Sequence, residues 1–258
     1  MIPIKTEAEI VQMRQACRIA ATVLHRLAQR LEPGITTYDL DALARDMMES
    51  YGARSACFNY GVGSRRPFPG HTCISVNEEI VHGIPSMKRT LRDGDLVTLD
   101  VCILHDGWIG DNACTYAVGH VNEQAQQLLD VSRDALHQGI AQAKPGNRVG
   151  HISHAIQQHI ERNGFNVVRE FVGHGVGRSM HEEPQIPNYG RIGDGKKLRE
   201  GMVLAIEPMV SAGNGESRVA DDGWTALTID GSNSAHFEHS VLVTADGFEV
   251  LTTPEESL

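Results

Sequence analysis

Four acids stand where a soluble protein seldom leaves a carboxylate unattended. Asp100 interrupts the apolar run Leu96-Val97-Thr98-Leu99-Asp100-Val101-Cys102-Ile103-Leu104, and Glu207 closes Met202-Val203-Leu204-Ala205-Ile206-Glu207. Glu238 comes just before Val241-Leu242-Val243, and Asp111 follows Trp108-Ile109-Gly110 after the hairpin signal Asp106-Gly107. A two-residue turn there pairs His105 with Trp108 and sets Asp100 opposite Ala113. Asp111 is then the diagonal neighbour of Asp100, about 7–8 Å away on the same face. For the hairpin alone, a polar turn that keeps Asp111 apart from Asp100 fits equally well. The two further acids shift the balance, because four buried carboxylates repel one another severely without a cation. A dinuclear metal site resolves the repulsion. His174, in Phe171-Val172-Gly173-His174-Gly175-Val176-Gly177, adds an imidazole suited to borderline divalent metals, and its glycines allow close backbone approach. Those glycines are a poor phosphate loop, since no Lys-Ser or Lys-Thr follows. Nor is His181-Glu182-Glu183-Pro184 a zinc helix, with Gln185 at the second histidine position and Pro184 breaking the turn.

These residues need elements to carry them, and the elements repeat. Ile10, Met13, Cys17, Ala20, Leu24, Leu27 and Leu31 form an amphipathic stripe, with Thr6 and Glu9 at capping-box spacing and Pro33-Gly34 as the stop. A second helix runs from about Tyr38 to Ser50 and ends at Gly52. The pair returns after Asn122, with Leu128, Val131, Leu136 and Ile140 ahead of Pro145-Gly146, then about Val149 to Arg162 before Gly164. Leu91-Arg92-Asp93-Gly94 leads to Asp100, and Leu198-Arg199-Glu200-Gly201 leads to Glu207; each acid comes nine residues after its leucine. His82-Gly83-Ile84-Pro85 and His181-Glu182-Glu183-Pro184 form a third echo. Any one echo is within the reach of chance, but three in the same order favour an internal duplication. The expectation is a single domain, 1–258, with repeats at about 5–115 and 122–245 and the site between them. His151, His154 and His159 fall on the expected solvated face of a helix.

Composition narrows the function classes. The chain has 258 residues, 41% hydrophobic and 22% charged, as in a soluble globular protein. A net charge of −10 without a basic tract argues against nucleic-acid binding. No run approaches the length of a membrane span, and the N-terminus shows no signal-peptide core. Five cysteines without a CxxC pair read as reduced thiols, so a cytoplasmic protein is expected.

The ordered set Asp100, Asp111, His174, Glu207 and Glu238 resembles that of the type I methionine aminopeptidases. The motifs that carry the likeness are Leu99-Asp100-Val101, Gly110-Asp111, Gly173-His174-Gly175-Val176-Gly177, His181-Glu182-Glu183-Pro184, Ile206-Glu207-Pro208-Met209 and Glu238-His239, and it covers almost the whole chain. The resemblance implies the α+β pita-bread fold: pseudo-two-fold duplicated α/β halves with central antiparallel sheets and helices on the outer face. It implies two divalent ions (cobalt, manganese, iron or zinc), bridged by Asp111 and Glu238, with Asp100 completing one shell and His174 and Glu207 the other. A water or hydroxide between them would attack the first carbonyl, and one metal would hold the free α-amino group. Glu207 would carry the proton to the leaving amine, His181 would stabilise the oxyanion, and His82 would bond near the scissile amide.

By position the resemblance also implies a methionine pocket lined by Cys57, Tyr60, Phe68, Cys73 and Trp224, bordered by Met180, His82 and His181. Met180 stands where many members carry phenylalanine, and the segment 61–67 is longer than in short members. Asn77 and Ser234 match positions that can hold a monovalent cation such as sodium or potassium. The implied substrate is a peptide or nascent-chain N-terminus with a small second residue. Arg65-Arg66 suits transient ribosome contact or a solvated loop, and a stand-alone monomer is expected. Two other readings remain. A proline-directed relative usually carries an added N-terminal domain, and a binding protein on this fold usually loses metal ligands.

Overall fold

Two helix pairs flank the sheet. Helix α1 (Glu7–Ala28) opens on a capping box in which the Glu9 N–H bonds the Thr6 hydroxyl and the Thr6 N–H bonds Glu9. It ends before Leu31, a correction to the expected stop, because the Arg30 and Leu31 amides close tighter turns onto Leu27 and Ala28. Helix α2 (Thr37–Ser50), α3 (Glu123–Ile140) and α4 (Val149–Arg162) follow. The computed structural model describes residues 2–61 and 66–254. The expectation for Arg65, and most of that for the 61–67 segment, lies outside them.

The strands are β1 (Arg54–Ser55), β2 (Cys73–Val76), β3 (Glu79–Val81), β4 (Leu96–His105), β5 (Trp108–Ala117), β6 (Asn166–Val167), β7 (Val172–Gly175) and β8 (Glu182–Pro187). Then come β9 (Val203–Ile206), β10 (Met209–Ser211), β11 (Ser217–Val219), β12 (Ala226–Thr228), β13 (Ser234–His236), β14 (Glu238–Val243) and β15 (Phe248–Val250). A nine-stranded antiparallel sheet runs β1-β4-β5-β14-β9-β7-β8, with β2 beside β4 and β15 beside β14. Two three-stranded sheets, β13-β10-β6 and β11-β12-β3, complete the pita-bread fold. The β4–β5 turn uses Asp106 and Gly107, both at positive φ, so His105 does pair with Trp108 and Asp100 with Ala113.

One core packs α1 and α2 against β4 through Met13, Leu27, Leu40 and Leu99; another packs α3 and α4 around Leu128, Ile156, Leu204 and Val241. Local geometry recurs between them. Gly34 and Gly146 both take φ near the left-handed region, as do Gly94 and Gly201, and isolated bridges join Thr36 to Thr90 and Arg148 to Lys197. The solvated-face expectation for α4 needs correction. His151, His154 and His159 are half-buried; His151 Nδ1 accepts the Arg148 N–H, and His154 Nδ1 lies 3.3 Å from the Gly190 carbonyl oxygen. No described helix is long and apolar enough to cross a membrane.

Candidate metal centre and its pocket

The sheet order does what the sequence pattern demanded. Strands β4, β5, β14, β9 and β7 are consecutive neighbours, and they carry or immediately precede Asp100, Asp111, Glu238, Glu207 and His174 in that order. Asp100 and Glu238 both pair with Ala113 from opposite sides, while Asp111 pairs with Cys102. His239 pairs with Ile206, which sets Glu238 beside Glu207, and His174 pairs with Ala205. Side-chain donor atoms of Asp111, His174 and Glu238 lie within 4.8 Å of one another.

Burial makes this cluster electrostatically costly. Asp111, Glu238, His174 and Glu207 are all buried, and Asp100 is open only toward the cavity. Burial pushes the Asp111 carboxyl up to about 7; the Cys57 thiol raises it further, while a hydrogen bond from Cys102 pulls it back. Burial, then the Asp111 charge, holds Asp100, Glu207 and Glu238 well above the usual carboxylate range. Burial lowers His174 to about 4, so its imidazole is neutral. Its Nδ1–H donates to the Gly175 carbonyl at 3.0 Å, which leaves the Nε2 lone pair facing the acids, 3.3 Å from Glu207 Oε1. Glu238 Oε1 is buried with no hydrogen-bond partner. Oxygen donors, a lone pair aimed inward and an orphaned carboxylate oxygen are what divalent cations require, so the residues fit that group.

The acids form one wall of a cavity of about 170 Å³. Cys57, Tyr60, Phe68, Cys73, His82, Met180, His181 and Trp224 border it as well. Phe68 meets Trp224 edge-on at 5.4 Å, and the indole N–H donates to the Arg66 carbonyl at 2.8 Å. Tyr60 Oη lies 2.7 Å from His181 Nδ1, and the His181 ring stands edge-on to His174 at 4.5 Å. His82 is placed by an unusual backbone, φ 60°, followed by Gly83, where an added Cβ would fall 2.3 Å from the Ile74 carbonyl oxygen. Burial lowers both His82 and His181, so each is a neutral donor or acceptor near pH 7.

Asn77 and Ser234 are joined by the Ser234 N–H to the Asn77 carbonyl at 2.9 Å. Their side chains are committed elsewhere: Asn77 Oδ1 accepts the Leu96 N–H, its Nδ2 donates to Asp95, and Ser234 Oγ donates to Val210. A monovalent cation there would rest on backbone oxygens. The sequence reading missed Cys102, Phe171, Val172, Met209 and Val81 along the cavity, and His236 behind Glu207. The signal for one of them was present, since Cys102 lies two residues from Asp100 on the same face of β4; His236 ends β13, ahead of the strand that carries Glu238.

An acid cluster with one histidine along the wall of a cavity, on a pita-bread sheet, is the layout of a metal-dependent hydrolase. The model for metallopeptidase family M24 matches residues 11–245. Methionine aminopeptidase 1 of Bacillus subtilis is 46% identical over 252 residues, covering 98% of this chain and 99% of that protein. The crystal structure of methionine aminopeptidase from Thermotoga maritima superposes with a TM-score of 0.95 at 46% identity, covering 98% of this chain and 100% of that one. The corresponding Rickettsia prowazekii structure gives 0.94 at 41%, with the same coverage. The chain belongs to metallopeptidase family M24 and, within it, to the methionine aminopeptidases.

Proposed function

We propose that the chain removes N-terminal methionine from peptides and nascent proteins through a two-metal centre. The observation that carries the reading is the convergence of five sequence-distant donors from five adjacent strands onto the floor of one thiol- and aromatic-lined cavity. Asp111 and Glu238 would hold both cations, Asp100 would complete one set, and His174 with Glu207 the other. When bound, the cations supply an activated water at neutral pH and neutralise charge that builds on the scissile carbonyl.

The chain's own residues divide the remaining work. Glu207 carries a proton toward the leaving amine, which suits a carboxyl already pushed upward by burial and the nearby Asp111 and Asp100 charges. Neutral His181, oriented by Tyr60, donates toward the carbonyl oxygen as charge develops there. His82 bonds near the scissile amide from the facing wall. Cys57, Cys73, Phe68 and Trp224 take an unbranched, polarisable side chain. The cation site would also hold the substrate's free α-amino group, which confines cleavage to the N-terminus. Cytoplasmic residence, a monomeric state, a small second residue and transient ribosome contact belong to the same proposal, as does the choice among manganese, iron, cobalt and zinc.

The test is to strip the protein with a chelator, restore manganese or cobalt, and assay free methionine from Met-Ala-Ser beside Gly-Pro and Leu-Ala-Ser. Metal-dependent release from the first alone supports the reading. Action on Gly-Pro alone moves the protein to the proline-directed branch, and a folded sample inert with every metal makes it a binding protein.

A further inference from the structure

Glu207 has a second imidazole beside it that the mechanism above does not use. His236 Nε2 lies 3.7 Å from Glu207 Oε2, on the opposite side of the carboxylate from His174, which faces Oε1. The His236 side chain is 2% exposed, and neither of its ring nitrogens has a hydrogen-bond partner. A buried imidazole left unpaired at both nitrogens is costly, and such groups in native proteins call for an explanation.

The backbone that delivers this ring is pinned from two strands. The His236 N–H donates to Thr115 Oγ1 at 2.8 Å, and that hydroxyl donates back to the His236 carbonyl at 2.9 Å. On the other side His236 pairs with Met209 of β10, two residues beyond Glu207. Such fixation from β5 and β10 sets the ring's distance from Glu207 and leaves it little freedom to go elsewhere. The ring does not border the cavity, so it does not reach substrate.

We infer that His236 is a positioning residue, whose ring N–H holds Oε2 of Glu207 and so keeps Oε1 on the cation side, next to His174. A small closure of the 3.7 Å gap makes the hydrogen bond and satisfies one of the two orphaned nitrogens. Only the kinetic arm of the test rests on the aminopeptidase reading above.

The test compares His236→Gln, whose amide N–H keeps a donor at similar reach, with His236→Leu. Cobalt binding to the metal-free proteins is measured by calorimetry, and kcat and KM by methionine release from Met-Ala-Ser at saturating cobalt. Removing a hydrogen-bond partner of a metal-binding side chain costs about 10–100-fold in metal affinity or activity. His236→Leu is expected to lose about that much cobalt affinity and kcat, with KM within about threefold, and His236→Gln to recover most of both. His236→Asn, too short to reach Glu207, replaces the leucine variant if that one does not fold. A folded leucine or asparagine variant with native cobalt affinity and kcat overturns the inference, and so does a glutamine variant as impaired as the leucine one. Were the native protein to release no methionine, the calorimetry alone would still decide.

Discussion

Asp100 and Glu207 occupy matching places in the two halves of the chain, yet their surroundings differ. Asp100 lies inside β4, paired with Cys73 on one side and Ala113 on the other, and its side chain has one rotatable bond fewer than a glutamate's. Glu207 lies just past the end of β9, ahead of Pro208, on a longer side chain flanked by His174 and His236. One acid is fixed by a ladder on both flanks; the other sits where the ladder ends. The difference suggests a division of labour on a repeated frame, in which the fixed acid only binds and the freer one also moves a proton. The largest expected effect tests that division. Glu207→Gln should lower kcat on Met-Ala-Ser by about 10²–10⁴-fold even at saturating metal, the usual worth of a positioned proton carrier. Asp100→Asn should lose metal affinity instead, with most of its activity recovered by excess cobalt. Equal losses that metal does not recover in either variant would mean that both acids do one job.

The halves are joined by a strap, and the strap too is one-sided. Lys5, ahead of α1, places Nζ 2.6 Å from Glu182 Oε2, and its backbone N–H donates to the Gly201 carbonyl at 2.8 Å. Glu182 Oε1 accepts the N–H groups of Arg178 and Ser179, shaping the turn that delivers Met180 and His181. Lys5→Met leaves the Glu182 charge nearly enclosed without its cation, at a cost of about 3–5 kcal/mol. Calorimetric unfolding should show a Tm lower by roughly 10 °C, together with reduced kcat. A shift below about 2 °C would mean that the second half holds its loop unaided.

The shared floor of the two halves titrates in a direction that follows from burial. Asp111 is raised from 3.8 to about 7, so between those values the folded protein holds a proton that the unfolded chain has released. Stability of the metal-free protein therefore falls as pH rises through that window, and lowering pH from 8 to 6.5 should restore about 1 kcal/mol for this carboxyl. His174 and His236, lowered to about 4 and about 3, work the other way, since they stay neutral in the fold while the unfolded chain takes up protons. Asp100, Glu207 and Glu238, also held upward, reinforce the trend set by Asp111. Differential scanning calorimetry should thus show a metal-free Tm that falls from pH 6.5 to 8, and that fall should vanish with saturating cobalt. A metal-free Tm that climbs steadily to pH 8 would mean that the acids are not crowded.

What the sequence made legible was whatever leaves a periodic or local trace. The four helices, the Asp106-Gly107 turn and the Asp100–Ala113 register followed from spacing alone, because turn chemistry and a two-residue side-chain period determine them. Acids in apolar runs pointed to a cation because four carboxylates buried together as anions repel one another severely. Cys102 went unread although it shares a face of β4 with Asp100, and His236 because it ends β13 on another sheet; one histidine or thiol in a strand is ordinarily core. The Lys5–Glu182 pair spans 177 positions and leaves no local signal. The end of α1 was misplaced because Leu31 continues the apolar stripe while the backbone has already tightened.

The smallest effect lies at the second helix of each half. Thr36 starts α2 with a full exchange: its hydroxyl accepts the Asp39 N–H at 3.1 Å, and Asp39 accepts the Thr36 N–H at 3.3 Å. Arg148 starts α4 at the corresponding place without a hydroxyl, and only the return bond survives, from its N–H to His151 Nδ1 at 3.0 Å. An aspartate in the first turn also favours the helix dipole, which a histidine does not. Thr36→Ala should therefore cost about 1 kcal/mol in urea unfolding, whereas Arg148→Ala should stay within about 0.5 kcal/mol. Arg148→Thr should gain a few tenths to about 1 kcal/mol by supplying the missing acceptor. If the two alanine variants lose equally, the bond from the Arg148 guanidinium to the Gly195 carbonyl at 2.9 Å, rather than a cap, is what anchors α4.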